Sequence, residues 1–266
     1  MVKRLKKIFI GAICINIALY LFLLFHYSGK KVHLSIDDVS ICMKELTNDN
    51  SEYNSIFEQS FLKKLKVIHD FTDAKFTCYV YEQDGKYHIN DFPAKYKEEF
   101  KNNSDWLKFG FHAQNPTDSM PDDKSFSIAY NVVDSNLTYK MGGAKSNALR
   151  LHYYYASQRS VRLLKSKGIK VLLSADDNRI SYSLSPKDND KLIKNGYLLQ
   201  NGLKYVRTDI RVERDNIFAF LFEHLDDDEL IVFTHEWALY SSKWKWIKEV
   251  SLIVILKLLN CKFIID

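Results

Sequence analysis

The chain has 266 residues, of which 46% are hydrophobic and 27% charged, with a formal net charge of +5. That size allows one short anchor and one domain with a substantial core, and the apolar content excludes a disordered polymer. Lys3, Arg4, Lys6 and Lys7 supply most of the excess of 38 basic over 33 acidic residues, so the remainder is close to neutral and lacks the basic footprint of a nucleic-acid binder. Of the 4 cysteines, Cys42, Cys78 and Cys261 are widely spaced with no CxxC pair, which excludes a disulfide framework and reads as buried small hydrophobes.

The first element runs apolar from Ile8 to Phe25, with Asn16 the one strongly polar interruption. This matches the roughly 17 to 25 residues that span a bilayer. Four cations precede it, so the expected orientation leaves the N-terminus in the cytoplasm and the rest of the chain outside. A cleavable signal peptide usually has an apolar region of only about 7 to 15 residues and a small-x-small cleavage site, which His26-Tyr27-Ser28-Gly29 does not offer. The expectation is an uncleaved, single-pass signal anchor over residues 1–30 and one extracytoplasmic domain over 31–266.

Beyond the anchor, strands and helices alternate without a Pro/Gly/Ser linker. Val32 to Ile36 reads as a strand, then Ser55 to His69 as a helix with Ile56, Phe57, Phe61, Leu62, Leu65 and Ile68 on one face. Lys75 to Tyr81 is rich in aromatic and β-branched residues and predicts a second strand, followed by a polar turn region, a surface helix over Pro93 to Asn102 and a third strand over Leu107 to Phe111. A helix near Phe126 to Asn136 precedes a fourth strand at Leu149 to Tyr153. Ser157 to Lys167 is a helix closed by Gly168, and Ile169 to Ser174 is a fifth strand. Ser181 to Gly202 reads as a polar hairpin or long loop, and Lys204 to Val212 as one strand on which Asp209 and Arg211 form a structural ion pair. Phe218 to Leu225 is helical, Glu229 to Thr234 a strand, and Trp244 to Leu259 a buried helix leading into Cys261 to Ile265. The rhythm is that of βαβ units, an α/β domain.

Chemistry-bearing residues recur where these strands end. Asp37 and Asp38 close the first, His112 the third, and His235 the strand before Glu236 and Trp237. C-terminal ends of parallel strands open on one face, so these acids and imidazoles can converge on a single metal-centred site. Against this stands the ordinary use of Asp as an N-cap at a strand-to-helix turn. Neighbouring residues on a regular strand point to opposite faces. Asp37 and Asp38 can therefore share a site only if the backbone is already turning.

The succession Ser35-Ile36-Asp37-Asp38, Phe109-Gly110-Phe111-His112, Leu149-Arg150-Leu151-His152-Tyr153, Leu173-Ser174-Ala175-Asp176-Asp177 and Phe233-Thr234-His235-Glu236-Trp237 resembles the five motifs of the polysaccharide deacetylase superfamily, carbohydrate esterase family four. The resemblance covers nearly all of residues 31–266 and implies a distorted (β/α) barrel behind the transmembrane helix. It implies a hydrolase removing N-acetyl or related acyl groups from a cell-surface polysaccharide or glycan, with one divalent metal, Zn2+ or another divalent transition metal. Asp37 is then the general base, Asp38 and His112 metal ligands, Arg150 the residue orienting the base, and His235 the general acid. Asp176 falls near the motif whose acid tunes that histidine, and Glu236 is a second residue behind the site or a helix cap.

Two positions depart from the family pattern. The further metal-binding histidine expected four residues after His112 is Pro116, and the proline of the Arg-x-Pro segment is His152. A compensating exchange follows, with His152 as the third ligand. Three protein ligands leave a position for water, as hydrolytic zinc requires. Alternatively His152 is a packed core residue, and the chain an inactive deacetylase-like glycan-binding or scaffolding protein at the membrane. A glycosidase is disfavoured, because its two carboxyls must stand roughly 5 to 9.5 Å apart across the scissile bond. Tyr153 and Trp237 are candidates for stacking on a sugar ring.

Overall fold

The computed structural model describes residues 2–265; Met1 and Asp266, the outer ends of the two expected segments, lie outside the described residues. Helix α1 (Val2–Tyr27) is joined by three residues to strand β1 (Lys31–Val39). There follow α2 (Ile41–Asn48), α3 (Ser60–Thr72), β2 (Phe76–Tyr81), the hairpin β3 (Gln83–Asp84) and β4 (Tyr87–His88), α4 (Lys97–Asn102), β5 (Leu107–Ala113) and α5 (Asp123–Tyr139). The second half contains β6 (Ala148–Leu149), α6 (Gln158–Ser166), β7 (Val171–Leu173), α7 (Pro186–Asn195), β8 (Tyr197–Gln200), β9 (Leu203–Val206), β10 (Ile210–Arg211), α8 (Ile217–Glu223), β11 (Glu229–His235), α9 (Glu236–Ser241), α10 (Lys243–Leu258) and β12 (Lys262–Ile264).

Two sheets form the barrel wall. In the first the order is β10-β11-β1-β2-β5, with β12 also paired to β1, and every pairing is parallel. In the second the order is β6-β7-β9-β8, parallel except for the last pair. One seam between them is the parallel bridge of Phe109 to Lys145. At the other, Ser174 donates to Val206 at 2.8 Å and Asp209 to Ile231 at 3.0 Å, so the chain crosses from one sheet into the other over residues 207–209. The result is the expected distorted (β/α) barrel preceded by one apolar helix.

Burial explains the element choices. β1 and β2 are buried along almost their whole length, β2 as a continuous apolar run and β1 with His33, Ser35 and Asp37 enclosed between its apolar residues. Gly110 is required by close approach: a Cβ there would stand 2.7 Å from Leu149 Cδ2 and 2.9 Å from Tyr79 Cδ1. Gly168 ends its helix with φ +90, as its position predicted. Cys42, Cys78 and Cys261 are free and buried, in line with the sequence reading.

Three expectations needed correction. The fourth strand pairs only over Ala148–Leu149, because the backbone turns at Tyr153 and Tyr154, both left-handed. The segment 181–202, expected as a polar hairpin or long loop, ends in the first strand of the β8–β9 hairpin but also contains α7, started by the Ser185 cap with Pro186 behind it and stopped by Gly196 at φ +76; α7 buries only Asn189 and Leu192, which left little periodicity to read. The segment 204–212 is two strands in different sheets. Asp209 accordingly pairs with Arg207 at 2.8 Å, and Arg211 with Glu213 at 2.6 Å, rather than with each other.

Candidate metal centre and acid–base groups

The acid pair shares one site because β1 turns before it ends. Register with β2 shifts between Ile36 and Val39, and Asp38 has φ +59, a left-handed conformation rare outside glycine. Asp37 therefore stays inside the barrel at 2% exposure while Asp38 rises to its mouth. Such strain is sustained only where the surroundings over-determine it. Here the Glu236 carboxylate accepts from the backbone N–H groups of Ser40, Ile41 and Cys42 at 2.7–2.9 Å, fixing the chain that follows. Glu236 thus serves as the anion at the start of α2.

Around Asp38 the partners are close. His112 Nε2 lies 3.2 Å from Oδ1, the Tyr81 hydroxyl donates to the same oxygen, and Trp237 Nε1 donates to Oδ2 at 2.9 Å. Burial alone would raise the Asp38 carboxyl. The hydrogen bond and charge of His112, with His235 and Tyr81, hold it well below the usual range. Among the described residues, Asp38, His112 and His152 form one of two groups able to hold a cation, each offering a donor atom within 4.8 Å of the others.

The histidine tautomers fit a ligand role. His112 Nδ1 lies 2.7 Å from the Arg150 carbonyl, and His152 Nδ1 3.2 Å from that of Asp118. A carbonyl only accepts, so both Nδ1 atoms carry the proton, the orientation in which a second partner fixes a metal-binding imidazole. His112 Nε2 must then hold a second proton or share a cation with Asp38. Burial lowers the His152 pKa, and the nearby His112 lowers it further, which keeps His152 neutral and its second nitrogen available. The left-handed Tyr153 and Tyr154 form the turn that sets His152 beside His112, ring centres 5.2 Å apart.

The acid–base groups lie to either side. Arg150 is fully buried and reaches across the barrel: its Nη1 donates to Ser35 at 2.6 Å and to Asp37 at 3.2 Å, its Nη2 to Thr208 at 3.1 Å, and its guanidinium covers the Phe233 ring at 4.2 Å. His235 Nε2 is 3.8 Å from Asp38 Oδ2, while Nδ1 is 2.6 Å from Glu213. Burial would raise the Glu213 carboxyl, yet the hydrogen bond and charge of His235, together with Arg211, bring it to about 2. The acid that holds His235 is therefore Glu213. Asp176 instead bonds the Tyr154 hydroxyl at 3.2 Å and Arg214 at 3.0 Å.

Tyr81 and Glu213 were not singled out from the sequence. Both follow the rule that found the others, since Tyr81 closes β2 and Glu213 follows β10. Tyr153 and Trp237 are exposed beside the imidazoles, with ring centres 4.3 Å from His152 and 5.4 Å from His235.

The fold is of the polysaccharide deacetylase type, a distorted α/β barrel. The particular structure it resembles is the crystal structure of a "putative polysaccharide deacetylase" from Mycobacterium smegmatis, at TM-score 0.51 and 13% identity, covering 88% of this chain and 87% of that one. No protein-family profile and no curated protein matches the sequence. The likeness is thus one of fold alone.

Proposed function

We propose that this protein is a membrane-anchored, extracytoplasmic, metal-dependent hydrolase that removes N-acetyl or related acyl groups from a cell-surface glycan. The observation that carries the reading is the convergence of Asp38, His112 and His152, three residues from three strand ends, within 4.8 Å. One carboxylate and two imidazoles suit zinc or a similar divalent ion and leave a coordination position open. The chemistry such an ion supplies when bound is polarisation of the acyl carbonyl and activation of water.

The chain's own groups divide the remaining work. Tyr81 and Trp237 each hold one oxygen of Asp38, which restricts rotation of that carboxylate. Asp37, anchored by Arg150, takes the proton of the attacking water. His235 presents Nε2 to the site because Glu213 holds Nδ1–H, the orientation in which it delivers a proton to the departing amine. The amine is a poor leaving group until protonated. The exposed Trp237 indole beside His235 offers a face on which the sugar ring rests.

The test is acetate release from acetylated amino-sugar oligomers by the full chain loaded with zinc. Asp37→Asn is expected to keep the metal and lose turnover by at least about a hundredfold. Unchanged turnover in that variant removes Asp37 as base, and no release by a zinc-loaded parent removes the activity.

A further inference from the structure

We propose that the N-terminal edge of the barrel, opposite the candidate site, is a lipid-binding face that sits in the headgroup layer of an anionic bilayer. The inference rests on the reading of α1 as a retained anchor. Two independent observations lead to it.

The first is the length of α1 left free of the domain. The apolar span is Ile8–Tyr27, 20 residues. Its last two turns are committed to the domain: Tyr27 is fully buried with its hydroxyl on the Leu221 carbonyl at 3.0 Å, Leu23 and Leu24 pack against the core, and the Tyr20 hydroxyl donates to the Leu258 carbonyl at 3.1 Å. Ile8 to Leu19 alone stands clear, about 18 Å of helix at 1.5 Å per residue. A hydrocarbon core is about 30 Å thick. The domain is joined without a flexible linker, so closing this gap brings its lower edge into the interface.

The second is the composition of that edge. Helices in a parallel β/α barrel run opposite to the strands, so their last turns gather where the strands begin. Five of them carry an exposed large apolar side chain there: Phe25 on α1 at 83% exposure, Phe71 on α3 at 83%, Tyr139 on α5 at 72%, Phe222 on α8 at 49% and Leu258 on α10 at 60%. Lysines stand between them at the strand starts, namely Lys31, Lys75, Lys170 and Lys262. Of the acids at the same edge, Asp73 is paired with Lys257 at 2.5 Å, Asp227 with Arg207 at 2.7 Å and Glu229 with Lys204 at 2.5 Å, while Glu223, Asp226 and Asp228 are exposed beside the lysines. Apolar tips interleaved with lysine are the composition that seats a protein at an anionic lipid surface.

A consequence for the substrate follows. β1 rises from Lys31 at this edge to Asp37 at the site, roughly 20 Å at about 3.3 Å per residue. Docked this way, the site faces away from the membrane at a fixed height and selects a glycan segment held at that distance from the lipid.

Spin labelling of the full chain in nanodiscs of 3:1 phosphatidylcholine to phosphatidylglycerol tests this. Phe71→Cys, Phe222→Cys and Leu258→Cys are each labelled in a Cys14→Ala background, whose other cysteines are buried. Ile180→Cys, exposed in the loop after β7 on the opposite face, is the comparison. The expected result is a ratio of oxygen to nickel-chelate accessibility several-fold higher at the three basal positions than at 180. Equal ratios overturn the proposal. Labelling native Cys14 separates the two readings: a lipid-embedded label there with water-exposed basal labels refutes the docked face alone, and a label outside lipid refutes anchor and face together.

Discussion

Arg150 is the residue whose loss the barrel should tolerate least. It is a fully buried cation bound to a carboxylate that is itself 2% exposed, to two hydroxyls from different walls and to an aromatic face. Arg150→Met fills much of the volume but strands Asp37 as a buried charge, which costs about 3–5 kcal/mol, and unpairs the Ser35 and Thr208 hydroxyls at about 1 kcal/mol or more each. Against a typical stability of about 5–15 kcal/mol this brings the domain near unfolding. Neutralising the stranded acid should recover part of the loss. In a double-mutant cycle with Asp37→Asn, the double variant is expected to be more stable than the sum of the single effects by about 2–3 kcal/mol. Urea unfolding of the four proteins, followed by circular dichroism, measures this coupling. A cost below about 1 kcal/mol for Arg150→Met, or a coupling within about 0.5 kcal/mol of zero, would refute the pairing and with it the positioning of Asp37.

Two further outcomes concern the groups behind His235. Glu213 is depressed to about 2, so it contributes stability at pH above its unfolded value near 4.5 and loses it as pH falls toward 2. Glu213→Gln is therefore expected to flatten the acid limb of stability over that window and to lower kcat with little change in KM; an unaltered acid limb argues against the His235–Glu213 bond. Glu249, fully enclosed on α10, is pushed up to about 8 by burial and by the charge of Glu213. A raised carboxyl pKa favours the fold at low pH, and that contribution is lost as pH rises from about 4.5 through 8. Because a tenfold change in proton affinity is worth about 1.4 kcal/mol, Glu249→Gln should stabilise the protein by about 2–4 kcal/mol at about pH 9 and by almost nothing at about pH 4. Equal effects at both pH values contradict a buried neutral carboxyl.

Strand ends were the legible part of the site. Asp37, Asp38, His112 and His235 each follow an apolar run, and burial on both faces makes such runs easy to read. His152 was legible only as an exchange, a histidine standing where a proline was expected while Pro116 stood where a histidine was. The turn that makes the exchange geometrically feasible depends on left-handed Tyr153 and Tyr154, which no residue preference announces. Glu213 was hidden because 204–212 reads as one strand, whereas the chain changes sheets over residues 207–209 and emerges beside His235. Glu236, a conspicuous acid at a strand end, has its oxygens occupied by the backbone at the start of α2, the capping alternative of the two roles its position suggested. α7 was missed for want of an apolar face, although its Ser185-Pro186 start and Gly196 stop were both present in the sequence.

The central claim is that His152 completes a three-residue metal centre with Asp38 and His112. Zinc content per chain, measured by plasma mass spectrometry after dialysis against a weak chelator, tests it directly when the parent is compared with His152→Ala and with His88→Ala, a histidine outside the candidate site. The account predicts about one zinc per chain in the parent and in His88→Ala and a small fraction of that in His152→Ala, since all three protein ligands are needed to hold the ion. Parent-level zinc in His152→Ala would contradict it.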